Sequence, residues 1–438
     1  MNRRHFLQSS AASATFAALP FSIRAADKAG SRKFRTALIG CGWWGNNILR
    51  EAMASGACEI VGLCDVDARQ LELTLPKVRE GTGETPKTFK DYREMLAQAK
   101  PEIVIVGTPD HWHTRICIDA MKAGKDVFCE KPLTLTIDEG KKLREVVEKT
   151  GKVLQVGTQQ RSDHNKVFLM AVALLREGRI GKIRKVTAAI GGGPSGGPFA
   201  RETPPPELNW DLWLGQAPKV DYTPKRCHAD FRWWYEYSGG KLTDWGAHHV
   251  DVAHWGLGKD QTGPTTIEVV RHELPVAYKD GWPTVDDRYN TATTFLVRAT
   301  FADGVPLEIR DDTENGVMFE GERGKIFVTR DRIDLQGGAV GALFQKPVAE
   351  STLRELRHGK GLDGHFENFF ACCGDRGKPA SDVWSHHRAL TTCHLANIAI
   401  RLGGRKLTWD PEKEAIVGDD QANAFLTRPQ RAGFEITA

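Results

Sequence analysis

Lys131, held between Glu130 and Pro132, and the pair Asp244 and His248 are the residues whose types and spacing suggest chemistry. A lysine ammonium can hydrogen-bond a substrate hydroxyl and help move its proton. The proline after it fixes φ and stiffens the turn. Asp244 and His248 stand four residues apart, so a helix places them on one face, which Asp251 and Trp255 continue. Histidine suits proton transfer because its pKa lies near working pH. The carboxylate can orient it, stabilise its charged form or bind substrate hydroxyls. The same spacing also describes a satisfied His–Asp pair in a partly buried helix. Oxidation of an alcohol by such a set further requires a hydride acceptor.

Gly40-Cys41-Gly42-Trp43-Trp44-Gly45 supplies the place for one. The turn follows an apolar run and opens a helix, and Asp65 stands twenty residues beyond Gly45. In that context the three glycines read as a dinucleotide-binding turn. The first permits the tight turn, the second lets backbone approach a pyrophosphate, and the third lets helix pack on strand. The helix N-terminus offers free N–H groups to the phosphates. Asp65 would accept hydrogen bonds from ribose hydroxyls and repel a 2′-phosphate, favouring NAD; nearby Arg69 leaves NADP open. Trp43 and Trp44 either pack into the helix–sheet seam or face the ligand.

The elements that must position these groups follow from periodicity. Apolar runs at 34–39, 59–64, 102–106, 126–129 and 153–156 read as buried strands, alternating with helices at 46–55, 92–99, 115–123 and 137–149. This is the pattern of an α/β domain with a parallel sheet and helices on both faces. Ligands gather beyond the carboxyl ends of such strands, where the glycine turn, Asp65, Thr108-Pro109 and Glu130-Lys131-Pro132 fall. After residue 158 the texture changes. Residues 191–206 are rich in Gly and Pro, and the runs 294–301, 305–309, 317–320 and 325–328, separated by turns, read as antiparallel strands of a second, α+β domain. A helical segment and a tail to Ala438 close the chain. The expected division is 1–25 signal peptide, 26–33 linker, 34–157 dinucleotide domain and 158–438 substrate and oligomerisation domain.

Asn2-Arg3-Arg4-His5-Phe6-Leu7, followed by a short apolar stretch, resembles a twin-arginine export signal cleaved near Ala25. It implies the export machinery as a partner of the precursor and a periplasmic or otherwise exported product. Net charge is +4, and removing residues 1–25 with Arg3, Arg4 and Arg24 leaves +1. That balance argues against nucleic acid as a partner. No later run is long enough to suggest a membrane anchor. The nine cysteines show neither a disulfide framework nor zinc spacing.

On the glycine turn, Thr108-Pro109-Asp110-His111-Trp112-His113, Glu130-Lys131-Pro132 and Asp244-x-x-x-His248, the chain resembles the glucose-fructose oxidoreductase, inositol dehydrogenase and MocA (Gfo/Idh/MocA) family. The resemblance implies that Lys131 and His248 flank the nicotinamide and the reacting carbon, and that Asp244 helps to bind and orient substrate. It implies a second domain with an open, mostly antiparallel sheet whose flat face mediates dimers or tetramers. Cofactor contacts then fall to Gly40, Gly42, Trp43, Trp44, Gly45, Asp65, Thr108, Pro109, His113, Glu130, Lys131 and Gln160. Substrate contacts fall to Arg161, Trp234 and His249.

The aromatic segments 210–213 and 228–237 suit a carbohydrate ligand, which needs apolar ring faces beside hydrogen-bonding edges. Free NAD is scarce outside the inner membrane, so an exported enzyme of this kind would either hold its cofactor tightly through many turnovers or pass electrons to a second substrate, which favours a closed redox cycle. The expected activity is hydride transfer at a sugar carbon. One alternative is a glycosidase that oxidises, eliminates, hydrates and reduces with no net redox change. Another is a non-catalytic sugar-binding protein on the same fold. A metal at Asp244, His248, His249, Asp251 and His254 is a further possibility. Adjacent histidines point about 100° apart on a helix, and no metal is expected.

Overall fold

Strands buried on both faces read as continuous apolar runs, and Ile103–Val106 and Asp126–Cys129 are buried at every position. They form the centre of a six-stranded parallel sheet in the computed structural model, which describes residues 32–337 and 346–438. The expected signal peptide and residues 26–31 of the linker lie outside the described residues. The elements alternate as β1 (Phe34–Ile39), α1 (Trp43–Ala54), β2 (Cys58–Cys64), α2 (Ala68–Thr82), β3 (Lys87–Phe89), α3 (Tyr92–Gln98), β4 (Ile103–Val106), α4 (Asp110–Lys122), β5 (Asp126–Cys129), α5 (Ile137–Thr150) and β6 (Leu154–Val156). Strand order is β3-β2-β1-β4-β5-β6. Order reverses between β1 and β4, so the crevice at their carboxyl ends is the natural ligand site. Asp67, Asp91 and Thr136 cap α2, α3 and α5 by accepting backbone N–H groups.

The remainder comprises α6 (Val167–Arg176), β7 (Ile183–Ala189), α7 (Trp210–Leu214), α8 (Lys241–Asp244), α9 (Gly246–Leu257), β8 (Thr266–Glu273), a ribbon of β9 (Tyr278–Lys279) and β10 (Trp282–Pro283), β11 (Thr294–Thr300), β12 (Pro306–Arg310), β13 (Gly316–Gly321), β14 (Lys325–Val328), β15 (Ile333–Gln336), α10 (Glu350–Leu356), α11 (His365–Asp375), α12 (Val383–Arg401), β16 (Leu407–Asp410), β17 (Ala415–Ile416) and α13 (Asp420–Ala424). A nine-stranded sheet runs β15-β14-β13-β7-β12-β11-β8-β16-β17. Only β7–β12 among its pairs is parallel. The α/β plus open antiparallel α+β reading therefore holds.

The closing helices do not form a separate tail. Phe366, Phe369 and Phe370 of α11 return to the first sheet, and Phe366 stacks on Phe128 of β5 at 4.3 Å. The final residues are pinned as well, with Arg428 on Glu139 at 2.7 Å and Ile436 buried. No helix among the described residues is long and apolar enough to cross a membrane.

Candidate functional site

Two glycines of the turn are required by space. Gly40 has φ +90°, and a Cβ there would stand 2.6 Å from the Gly107 carbonyl carbon. A Cβ at Gly45 would stand 1.8 Å from the Gly40 carbonyl oxygen, so α1 can pack on β1 only without a side chain. Gly42, the N-cap of α1, faces nothing within 4 Å. The first-turn N–H groups of α1 thus open onto space, as phosphate binding requires. That space is a cleft of about 1250 Å³, open solvent at its mouth included. Gly40, Gly42, Trp43, Trp44, Asp65, Thr108, Pro109, Glu130 and Lys131 line it.

Asp65 stands where β2 ends. Its carboxylate accepts the Cys41 N–H at 2.7 Å and the Asp67 N–H at 2.9 Å. Burial raises its pKa to about 6 against these bonds. Arg69 faces away, to Glu207 at 3.6 Å. Buried polar groups ordinarily find partners, yet Thr108 Oγ1 and both amide atoms of Gln160 have none. Open glycine, helix N-terminus, acidic strand end and an orphaned hydroxyl together fit a dinucleotide.

Lys131, also in the lining, follows β5. Its Nζ donates to Asp244 Oδ1 at 2.5 Å and to the Asp244 carbonyl at 3.1 Å. Arg232 Nε lies 3.4 Å from the same carboxylate. The Asp244 carboxyl is held down at about 2, against burial, by Lys131 and then Arg232. The His248 N–H bonds Trp245 O, not the Asp244 carbonyl, and the helix breaks at Trp245 between α8 and α9. Asp244 therefore serves Lys131 rather than orienting His248. His248 is buried, its Nδ1 has no hydrogen-bond partner, and burial, Lys131 and Arg330 keep the imidazole neutral. Burial also raises Glu130 and Asp110 to about 7. Glu130 accepts from Gln159 at 3.0 Å and Asp110 from Ser238 at 2.5 Å.

Several expected contacts lie elsewhere. His113 is buried, with Nδ1 2.7 Å from Pro132 O and Nε2 2.9 Å from Thr108 O. It ties the loop after β4 to the Lys131 turn and does not line the cleft. Gln160 is buried and is not among the lining residues, and both its amide atoms lack partners. Arg161 is not a substrate contact: it forks onto Asp251 at 2.7 and 2.8 Å and reaches Asp260 at 3.0 Å. Trp234 is fully buried beneath the Arg226 guanidinium at 3.9 Å. His249 is spent on the Ala189 carbonyl, 2.9 Å from Nδ1. Aromatic density is as much a core signature as a sugar-site one: Trp234 packs in the core, while Trp213 and Phe231 of the same segments line the cleft. For the metal possibility, Asp251 faces Arg161, and His254 Nε2 lies 3.0 Å from Thr392 Oγ1. No group of three metal-binding side chains occurs among the described residues.

From the aromatic segments 210–213 and 228–237, Leu212, Trp213, His228, Phe231 and Arg232 line the cleft; Leu208, which sequence reasoning missed, lines it with them. The strap is fixed by backbone bonds, Ala68 N–H to Glu207 O and Asn209 N–H to Val66 O. Only the aromatic spacing hinted at it.

Residues 34–158 match the family model described as "Oxidoreductase family, NAD-binding Rossmann fold", and residues 198–436 its C-terminal alpha/beta domain. Glycosyl hydrolase family 109 protein 1 of Akkermansia muciniphila is 30% identical over 155 residues, 34% of this chain and 32% of that protein. Inositol 2-dehydrogenase of Salmonella paratyphi B is 29% identical over 150 residues, 34% of this chain and 43% of that protein. The chain thus spans less than half the length of these curated relatives. The WlbA dehydrogenase of Bordetella pertussis, solved with NADH and UDP-GlcNAcA, shares the fold at TM-score 0.60 and 20% identity, covering 86% of this chain and 99% of that one. Aldose-aldose oxidoreductase from Caulobacter crescentus, complexed with glycerol, does so at TM-score 0.57 and 16% identity, covering 86% and 100%.

Proposed function

This chain belongs to the Gfo/Idh/MocA oxidoreductase family, and on that premise we propose that it is an exported enzyme moving hydride between a sugar hydroxyl carbon and a firmly held NAD. The observation that carries the reading is Lys131, paired with Asp244, lining the same cleft as the glycine turn. NAD, when bound, accepts the hydride. The Lys131 ammonium, held by Asp244, donates to the substrate oxygen and steadies the negative charge that develops there. Neutral His248, with Nδ1 unpartnered, is in the form that accepts the hydroxyl proton. Gly42 and the first turn of α1 take the pyrophosphate, and Asp65 the ribose. Asp65 and Asp67 beside the cleft, with Arg69 turned to Glu207, favour NAD over NADP. The pinned strap 207–209 supports slow cofactor release.

Export rests on residues 2–7 and assembly into dimers or tetramers on the family resemblance. Fractionation of cells expressing the full chain tests the first, and light scattering the second. For firm binding, denaturing the purified protein should release NAD(H). Release of none, with activity wholly dependent on added NAD, would remove that part of the reading.

A second reading, redox-neutral glycoside cleavage, is favoured by the family 109 relatives. It predicts that an aryl glycoside is cleaved with no lasting change in bound nicotinamide and no second substrate. A dehydrogenase leaves the nicotinamide reduced until an oxidised partner is added.

A further inference from the structure

Four cations act on Asp244: Lys131 and Arg232 line the cleft, and Lys241 and Arg330 lie close by. Lys131 and Arg232 share the one carboxylate of Asp244. Lys241 and Arg330 have no carboxylate within ion-pair distance among the described residues. Both lean on the same indole: Lys241 Nζ lies 5.7 Å from the Trp245 ring centroid and the Arg330 guanidinium 4.7 Å. Trp245 in turn stands 6.1 Å from His248. Arg330 Nε is buried without a hydrogen-bond acceptor. Asp331, the next residue, is exposed and makes no ion pair with it.

A cation over an aromatic face recovers part of its lost hydration, but buried guanidinium N–H groups still call for an acceptor. The remaining nearby acid does not supply one. Asp110 is bonded to Ser238, and burial raises it until it is only partly ionised at neutral pH. Burial also lowers Lys241, with Lys131 and Arg232 adding to the effect and Asp244 opposing it. Oxidised nicotinamide brings a further positive charge. A neutral sugar would leave this excess uncompensated.

We propose that the site takes a sugar bearing an anionic substituent, a carboxylate or a phosphate ester, which Arg330 and Lys241 hold across from Lys131, Asp244 and His248. The proposal deepens the oxidoreductase reading and rests on it for the identity of the ligand as a sugar. Arg330 supplies the planar fork that suits either anion, and Lys241 a point charge. The device would set specificity by pairing cations that are otherwise left unsatisfied.

The test is equilibrium binding to the purified, cofactor-loaded protein, with galactose, galacturonate and galactose 6-phosphate as one matched set and the glucose series as another. An anionic member should bind at least about ten-fold tighter than its neutral counterpart, and which one does so separates carboxylate from phosphate. Arg330→Gln and Lys241→Met should each collapse that preference, Arg330→Lys should restore part of it, and added salt should weaken it. Equal or tighter binding of the neutral sugar overturns the proposal, as does absence of binding by every anionic member. A preference that survives Arg330→Gln while the melting temperature falls also overturns it, and marks Arg330 as a staple on Trp245. Bound-nicotinamide absorbance, followed in the same samples, reads the other claim. Anion-dependent binding with no reduction by any sugar would sink the dehydrogenase reading and keep the anion site. Reduction by neutral sugars alone would do the reverse.

Discussion

Lys131 is useful only while its ammonium is aimed, and Asp244 aims it with both its carboxylate and its main-chain carbonyl. Lys131→Met should lower kcat/KM by about a thousand-fold, within the range that a positioned proton-transfer group contributes, with cofactor content on denaturation unchanged. Asp244→Asn removes the anion that Lys131 and Arg232 share and should cost about a hundred-fold in the same assay. Asp244 has a folded pKa near 2, below its unfolded value near 4. Its contribution to stability is present above about pH 4 and lost as pH falls toward 2, so the pair is intact wherever the enzyme works. Lys131 and Asp244 were legible as types in the sequence, and the resemblance placed them together. Their actual bond was not legible. Nor were Arg330 or the carboxyl of Asp110, whose neighbours Trp245 and Ser238 lie far along the chain, nor the pairing of Arg232 with Asp244 twelve residues on. Arg161, Trp234 and His249 were misread because their chemistry is consumed by Asp251, Arg226 and Ala189.

At the scale of elements, the glycine turn separates folding from binding. Gly42→Ala places a methyl in open space, so the protein should keep its melting temperature and lose NAD affinity by about ten-fold or more, through crowding of the pyrophosphate. Gly45→Ala drives a methyl into the Gly40 carbonyl and should lower the melting temperature as well as empty the site. Calorimetry with NAD titration distinguishes the two, and a Gly42→Ala protein that binds NAD normally would move the pyrophosphate elsewhere. The five strands of longest apolar run were readable because a doubly covered strand has no polar face. The short edge strand β3, with Lys87 and Thr88 exposed, carries no such signal. Helix α2, mostly polar and with Pro76 inside, was missed too. The break at Trp245, between α8 and α9, carries no signal in the apolar periodicity of the sequence.

The whole molecule buries much of its histidine. His111, His113, His248, His249, His254, His365, His386 and His394 all have pKa values lowered first by desolvation. Folded pKa values below the unfolded value near 6.5 mean stability that is present above pH 6.5 and lost as pH falls, by up to about 1.4 kcal/mol per pH unit for each group. Asp65, Asp110 and Glu130, raised to about 6 or 7, act in the opposite sense between pH 4 and 7 but are fewer. Melting temperature should therefore fall steadily from pH 7 to pH 5, and a flat or rising profile would contradict the burial described. The two-domain architecture was readable from the change in texture after residue 158. The return of α11 onto the first sheet was not, since Phe366 and Phe369 announce burial without announcing against what.

The most direct measurement is a single-turnover one: the absorbance of nicotinamide in the purified enzyme, followed after mixing with a sugar that binds it, in wild type and in Lys131→Met. Reduction in the wild type, with none on the same timescale in the variant, is the result expected if the lysine stands over the reacting oxygen. Reduction at the same rate in both proteins would show that the chemistry takes place without the Lys131–Asp244 pair.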